Sequence, residues 1–214
     1  MNQEGINLSM NKKIKHFLLF ISLSFGVTHN ALYAIEESKI SAFMQTNINL
    51  ATTILRDKKL VKNEKSEKLF VIFDSIFDYT LMAQLSLGSK QWSALESSKQ
   101  NEFTKLFEEK LKLSYMNKLD LYTDEKIVIK NLEKIKDTRI HLTTHLMKNS
   151  EVYEIIYKFY KNKNNDWLIY DVDILGVSII QTYRTQFADI LTKEPFEKLL
   201  EKLKQPDEET PKKQ

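Results

Sequence analysis

The sequence predicts an α+β domain in which helices cover one face of an antiparallel sheet. Three observations support this class. Apolar residues recur at helical spacing up to about residue 119, the period changes to two over four runs from residue 126, and helical spacing returns after Gly176. Helices, then a meander, then helices is the order typical of α+β domains. We therefore predict a meander of four to five strands whose apolar face is covered by N- and C-terminal helices.

Three helical stretches precede the strands. The first runs from Ile35 to Arg56, and the polar break DKKLVKNEKSE follows it. A second, more apolar stretch extends from Leu69 to Leu87, where Gly88 ends it. Serines in SALESSKQNEF are placed to cap a third helix. One stripe of that helix is apolar and contains Phe103, Leu106, Phe107, Leu111, Tyr115, Met116 and Leu119.

The strand runs are KIVIKNLEKIK, TRIHLTTHLMK, EVYEIIYKFYK and DWLIYDVDIL, and short polar links join them. Short links predict antiparallel neighbours. Strict alternation assigns alternate side chains to opposite faces. In the last strand it predicts one face with Leu168, Tyr170, Val172 and Ile174, and the other with Trp167, Ile169, Asp171 and Asp173.

Two amphipathic helices are predicted to close the domain, Val177–Leu191 and Glu194–Leu203, the second opened by Pro195. Gly176 permits a backbone angle that other residues resist, and Ser178 is placed to cap the helix that follows. This joint would fold the apolar stripe of the helix back over the sheet. We expect a disordered polar tail over residues 205–214.

The N-terminus has the pattern of an export signal. NKKIKH is a positively charged region, and FLLFISLSFGV is an apolar run of the length found in cleaved signal peptides. We expect residues 1–34 to be such a signal, with Met10 as an alternative start. The chain has no cysteine, so it offers neither disulfides nor a lipidated N-terminal cysteine. These features predict a soluble, non-lipidated protein of the periplasm.

The sequence offers little catalytic chemistry. The formal net charge of +3 falls to +1 without residues 1–34, which gives no support to nucleic-acid binding. His141 and His145 lie roughly 13 Å apart on a strand, too far to share one metal ion. Asp171 and Asp173 are the candidate acids of an enzyme, although salt-bridged or solvated carboxylates are far commoner. We expect no enzyme activity, no cofactor and no metal.

Two motifs resemble the MlaC family of periplasmic phospholipid-binding proteins, also described as toluene-tolerance or auxiliary transport components. The first is F-D-x-x-x-M-A-x-x-x-L-G, matched from Phe77 to Gly88. The second is W-x-x-Y-D-V-x-x-x-G-V-S-x-x-x-x-Y-R-x-Q-F, matched from Trp167 to Phe187. The similarity extends over residues 40–203, within a domain that we place at residues 35–204. Within the two motifs, we expect structural roles for Gly88, Trp167, Asp171, Gly176, Ser178 and Phe187.

The resemblance implies a carrier that shuttles a phospholipid between the two membranes and so maintains outer-membrane lipid asymmetry. The implied partners are phospholipid, an inner-membrane ABC transporter complex with a lipid-binding substrate-domain ring, and an outer-membrane complex of a lipoprotein with a porin. We expect a monomer. The long lysine-rich links between the strands and the charged tail depart from the family pattern, so the partner surfaces need not be the same.

A carrier of this kind needs an apolar pocket between sheet and helices. Candidates for its wall are long apolar or aromatic side chains that also suit an ordinary core: Met82, Leu85, Tyr115, Leu119, Ile140, Leu142, Leu146, Tyr153, Ile155, Tyr157, Leu168, Tyr170, Val172, Ile180 and Tyr183. Arg184 is a candidate for the headgroup end, or for an ion pair with Asp171. Two other classes stay open: a small isomerase or hydratase on a cone-shaped fold, and an envelope adaptor with a filled core.

Overall fold

The computed structural model describes residues 35–116, 125–148 and 150–205. The predicted signal peptide and residues 206–214 of the predicted tail lie outside the described residues. Within the described ranges the chain forms seven α-helices and five β-strands, in the order helices, strands, helices. The predicted α+β class is confirmed.

The elements have the following bounds. The helices are α1 (Ile40–Arg56), α2 (Lys62–Asp74), α3 (Tyr79–Leu87), α4 (Ser89–Ala94), α5 (Ser97–Met116), α6 (Ile179–Leu191) and α7 (Phe196–Leu203). The strands are β1 (Lys126–Lys136), β2 (Arg139–Lys148), β3 (Glu151–Lys161), β4 (Trp167–Ile174) and β5 (Val177–Ser178). No helix in these ranges has the length and apolar character needed to cross a bilayer.

The predicted single helix over residues 69–87 is wrong, because the chain breaks between α2 and α3. At the break, the backbone N–H of Asp78 donates to the carbonyl of Ile169 at 3.0 Å, and the Ile169 N–H donates to the carbonyl of Ile76 at 2.9 Å. The side chain of Asp78 then caps α3 by accepting from the N–H of Leu81 at 2.8 Å. Two hydrogen bonds with β4 therefore take the place of a helical turn.

The five strands form one antiparallel sheet in the order β1-β2-β3-β4-β5, so the predicted meander is confirmed. The register shifts twice in β1, where Lys130 and Ile135 are extra, and once in β4, where Tyr170 is extra. Such bulges bend a strand and increase its local twist.

The bulge in β4 overturns the predicted strand faces. Lys158 pairs with Asp171 and Phe159 pairs with Ile169, so Tyr170 has no partner in the register. The extra residue restarts the alternation. Trp167, Ile169, Val172 and Ile174 therefore share the face towards the helices, and Leu168, Tyr170, Asp171 and Asp173 share the outer face.

Two groups of buried side chains hold the domain together. The helical core lies among α3, α5, α6 and α7 and consists of Met82, Ala83, Leu87, Phe103, Phe107, Leu111, Ile180, Phe187, Leu199, Leu200 and Leu203. The sheet core lies between α1, α2 and the sheet and consists of Ile40, Met44, Ile72, Ile76, Ile140, Leu142, Phe159, Trp167, Ile169 and Val172.

Candidate ligand-binding cavity

A cavity of about 210 Å³ lies where the helical core meets the sheet core. Its wall takes side chains from α2, α3, α5, α6, β3 and β4 and from the break between α2 and α3. These side chains are Phe70, Phe73, Phe77, Tyr79, Met82, Leu111, Lys112, Ile155, Tyr157, Val172, Ile174 and Ile179. Nearly all of the wall is carbon.

The strand side of the cavity follows from cross-strand pairing. Ile155 lies opposite Ile174, and Tyr157 lies opposite Val172, so two neighbouring pairs present four side chains on one face. Without the bulge at Tyr170, Val172 and Ile174 would face away from the helices. Among the lining residues that the structure describes, only Ile174 is exposed, with 37% of its surface accessible, and it marks the edge of the cavity.

The joint between β4 and α6 brings a helix onto this cavity. A two-residue turn reverses the chain, with Leu175 at φ 54° and Gly176 at φ 79°. Both angles are left-handed, as a tight hairpin turn requires, and glycine adopts them without steric cost. Ser178 then caps α6 by accepting from the N–H of Gln181 at 2.9 Å, as predicted. The first residue of α6, Ile179, lies in the cavity wall.

Asp171 fixes the same joint from the outer face. One carboxylate oxygen accepts from Ser178 Oγ at 2.8 Å, and the other accepts from the N–H of Ile180 at 3.2 Å. The Lys158 ammonium lies 3.0 Å from Asp171 and 2.6 Å from Asp173. Asp171 therefore pairs with Lys158, and the predicted pair with Arg184 is wrong.

Arg184 lies away from the cavity wall. Its guanidinium is 3.8 Å from the position that a Cβ on Gly88 would occupy, and its side chain is exposed. The positive φ of 86° at Gly88 explains the glycine between α3 and α4. The structure gives no support to Arg184 as the headgroup end.

Lys112 is the charged residue of the wall. Its Nζ lies 2.6 Å from Asp74 Oδ1 and 2.6 Å from Glu108 Oε1, and it packs over the rings of Phe70 and Tyr79. Burial alone lowers the pKa of Lys112, but the hydrogen bonds and charges of the two carboxylates outweigh burial and raise that pKa.

Two tyrosines bring hydroxyl groups to the wall. Tyr79 donates to Asp74 Oδ1 at 3.0 Å, and burial, followed by the charge of Asp74, raises the pKa of the phenol far above its ordinary value. Tyr157 is half-buried, and burial raises the pKa of its phenol. Both phenols are therefore neutral at physiological pH.

The predicted wall residues separate into several locations. Met82, Ile155, Tyr157 and Val172 line the cavity. Ile140, Leu142 and Ile180 are buried in the two cores, and Leu85 and Tyr183 pack against the helical core. Leu146 and Tyr153 pair across strands outside the cavity wall, with the Tyr153 hydroxyl on Glu151.

Two predictions in the last strand are corrected, because Leu168 and Tyr170 lie on the outer face, where the Tyr170 ring packs on Tyr160. Leu119 and the side chain of Tyr115 lie outside the described residues. Eight wall residues are absent from the candidate list: Phe70, Phe73, Phe77, Tyr79, Leu111, Lys112, Ile174 and Ile179. The phenylalanine spacing of three and four residues was the available signal, since it places aromatic rings on one side of a helix.

A sheet with helices on one face and an open apolar cavity between them defines a class: a binding protein for an apolar or amphipathic ligand. The family model described as "MlaC protein" matches residues 45–205. The chain belongs to the MlaC family.

Relatives of known description agree with this assignment. The chain is 24% identical over 207 residues to the intermembrane phospholipid transport system binding protein MlaC of Haemophilus influenzae, with 94% of this chain and 95% of that protein covered. It also shares its fold with a phospholipid-binding protein from Ralstonia solanacearum that was solved in complex with a phospholipid. That similarity has a TM-score of 0.65 and 23% identity, and it covers 76% of this chain and 93% of the other.

Proposed function

We propose that the protein is a periplasmic carrier that holds the acyl chains of a phospholipid in the cavity and moves the lipid between the two membranes. The observation that carries the proposal is the apolar cavity between the two cores. The family membership supports it, because the Haemophilus relative is described as a phospholipid transport binding protein and the Ralstonia structure contains a phospholipid.

A carrier is needed because phospholipid tails are expensive to expose to water. About 30 methylenes at about 0.8 kcal/mol each amount to more than about 20 kcal/mol, so free diffusion of the lipid is negligible. A soluble protein removes this barrier by replacing the water around the tails with apolar side chains. The cavity wall is of this kind, apart from Lys112 and the hydroxyls of two tyrosines.

The cavity must widen to accept a whole lipid. Pockets for drug-sized ligands have volumes of about 300–1,000 Å³, whereas this cavity holds about 210 Å³. The wall is made of separate elements, with α2 and α5 on one side and β3 and β4 on the other. A small separation of these elements enlarges the cavity without unfolding either core.

Binding rather than catalysis is the function that this geometry favours. Asp171 and Asp173, the acids that the sequence offered for an enzyme, pair with Lys158 on the outer face of the sheet and do not line the cavity. We also propose that the carrier is a monomer and that it contributes to outer-membrane lipid asymmetry. Its proposed partners are an inner-membrane ABC transporter complex and an outer-membrane complex of a lipoprotein with a porin.

Filling the cavity tests the carrier function. Ile155→Trp places an indole in the cavity, and we expect the protein purified from the periplasm to lose most of its bound phospholipid. The matched control is Ile156→Trp, which makes the same change at the next residue of β3 on the outer face. Native mass spectrometry with lipid extraction measures the bound lipid. Wild-type protein without lipid under gentle purification, or equal lipid in both variants, would contradict the carrier function.

A further inference from the structure

We propose that the charged group centred on Lys112, at the cavity wall, selects phospholipids whose headgroup carries an ammonium, such as phosphatidylethanolamine, over anionic lipids such as phosphatidylglycerol. This inference rests on the proposed carrier function. The group consists of Lys112 with Asp74, Glu108 and Tyr79, and we refer to it as the Lys112 cluster.

The cluster fixes which end of the cavity receives the headgroup. Of the twelve lining side chains in the described part of the chain, nine are hydrocarbon or thioether, and Lys112 is the one that carries a charge. A phosphate loses several kcal/mol when it leaves water for an apolar surface without a partner. The phosphate therefore lies at Lys112, and the acyl chains extend along Tyr157 and Val172.

The charge balance of the cluster is negative. Lys112 contributes one positive charge, while Asp74 and Glu108 contribute two negative charges within 2.6 Å of the ammonium. Tyr79 contributes none, because burial raises the pKa of its phenol. One carboxylate charge is thus left without a compensating cation inside the cluster.

This excess charge distinguishes the two kinds of headgroup. An ammonium ion has three N–H donors, and the contacts to Asp74 and Glu108 use two of those on Lys112. The phosphate of either lipid is able to accept the third. The ammonium of phosphatidylethanolamine then balances the remaining carboxylate, whereas phosphatidylglycerol leaves that carboxylate facing an uncompensated phosphate. Like charges at such a distance disfavour binding.

A purely structural role is the competing explanation of the cluster. Lys112 joins α5 to α2 through Asp74, and its Nζ lies 5.4 Å from the Phe70 ring centroid and 5.0 Å from that of Tyr79. Such a bridge contributes to stability whether or not a lipid binds. Stability measurements therefore do not separate the two roles, but the ratio of bound headgroups does.

The experiment offers the full exported protein vesicles of equal phosphatidylethanolamine and phosphatidylglycerol with identical acyl chains. Bound lipid is extracted after re-isolation and measured by mass spectrometry. We expect wild-type protein to favour phosphatidylethanolamine about threefold, the size expected for a partly exposed charge interaction. Glu108→Gln should bring the ratio close to one. The control is Glu102→Gln, on the same helix, where the glutamate pairs with Lys99 at 2.8 Å and not with Lys112.

Asp74→Asn is the second variant, and it repeats the test if Glu108→Gln fails to fold. A wild-type ratio of one, an unchanged ratio in a folded variant, or an equal loss of both lipids would overturn the inference. Failure of wild-type protein to take up either lipid would instead overturn the carrier function, so the two failures are distinguishable.

Discussion

The two cores and the junction between them differ in how completely they are filled. In the helical core, Phe103 is fully buried. Its ring centroid lies 5.7 to 6.2 Å from the ring centroids of Phe107, Phe187 and Phe196. The sheet core is anchored by Trp167, Ile169 and Phe159, which are also fully buried. The cavity lies between the two cores.

This difference shows how one small domain stays folded and keeps a hollow space. Close-packed interiors resist changes of even one methylene, so a cavity inside either core would cost stability directly. At the junction, buried residues of both cores, including Met82 and Val172, border open space. Side chains such as Phe77 and Ile179 contact both cores and form the wall of the gap.

The largest expected effect on stability comes from the closely packed helical core. Phe103→Ala should lower the free energy of unfolding by about 4 kcal/mol, because it removes a buried ring and leaves a cavity behind. Phe73→Ala, in the cavity wall, should lower it by about half as much, since this half-buried ring already borders open space. Urea denaturation measures both. Equal losses would mean that the junction is as tightly packed as the helical core.

The joint between β4 and α6, which connects the sheet core to the helical core, gives the next largest effect. Asp171→Asn should lower the free energy of unfolding by about 2 to 3 kcal/mol, because an amide retains only one acceptor oxygen for a set of donors that includes Lys158, Ser178 and the Ile180 N–H. Asp189→Asn is the control, at an exposed position of α6. Thermal unfolding measures both, and an equal effect at the two positions would show that the joint does not depend on Asp171.

The smallest expected effect on stability comes from the outer face of the sheet, which belongs to neither core. Burial, followed by the charge of Lys158, lowers the pKa of His141, although Glu133, Asp171 and Asp173 act in the opposite direction. The unfolded chain therefore binds a proton more readily, and stability falls as the pH drops through the ordinary histidine value near 6.5.

His141→Gln should remove this part of the pH dependence of the unfolding temperature between pH 7.5 and 5. The control is Thr143→Gln, which places the same side chain on the same face of β2 but keeps the imidazole. An unchanged slope in the His141 variant would show that the imidazole does not sense its folded surroundings.

Local sequence signals were sufficient for some parts of this fold. The runs assigned to β1 and β3 have the observed bounds, and the hydroxyl of Ser178 caps α6 as expected. Both depend on residues that are close in the chain: alternating side chains in the strands, and a serine three residues before the N–H that it accepts from. The resemblance to a family added the expectation of a cavity, which the residues alone did not require.

The errors arose where distant residues decide the local structure. The break before Tyr79 depends on hydrogen bonds to Ile169, about ninety residues later in the chain. The bulge at Tyr170 depends on how β4 pairs with β3. Lys112 resembles a solvent-exposed helix residue until Asp74 and Glu108 are placed around it. Apart from Glu108, which is one helical turn from Lys112, these partners are beyond the range of hydrophobic periodicity.

The extra residue in β4 also determines how this strand must be aligned with related sequences. Trp167 and Val172 face the same way although an odd number of positions separates them. An ungapped alignment to a strand without the insertion would equate inward side chains with outward ones. Deleting one of the two residues between Ile169 and Val172 would instead restore strict alternation and leave Val172 and Ile174 facing the helices.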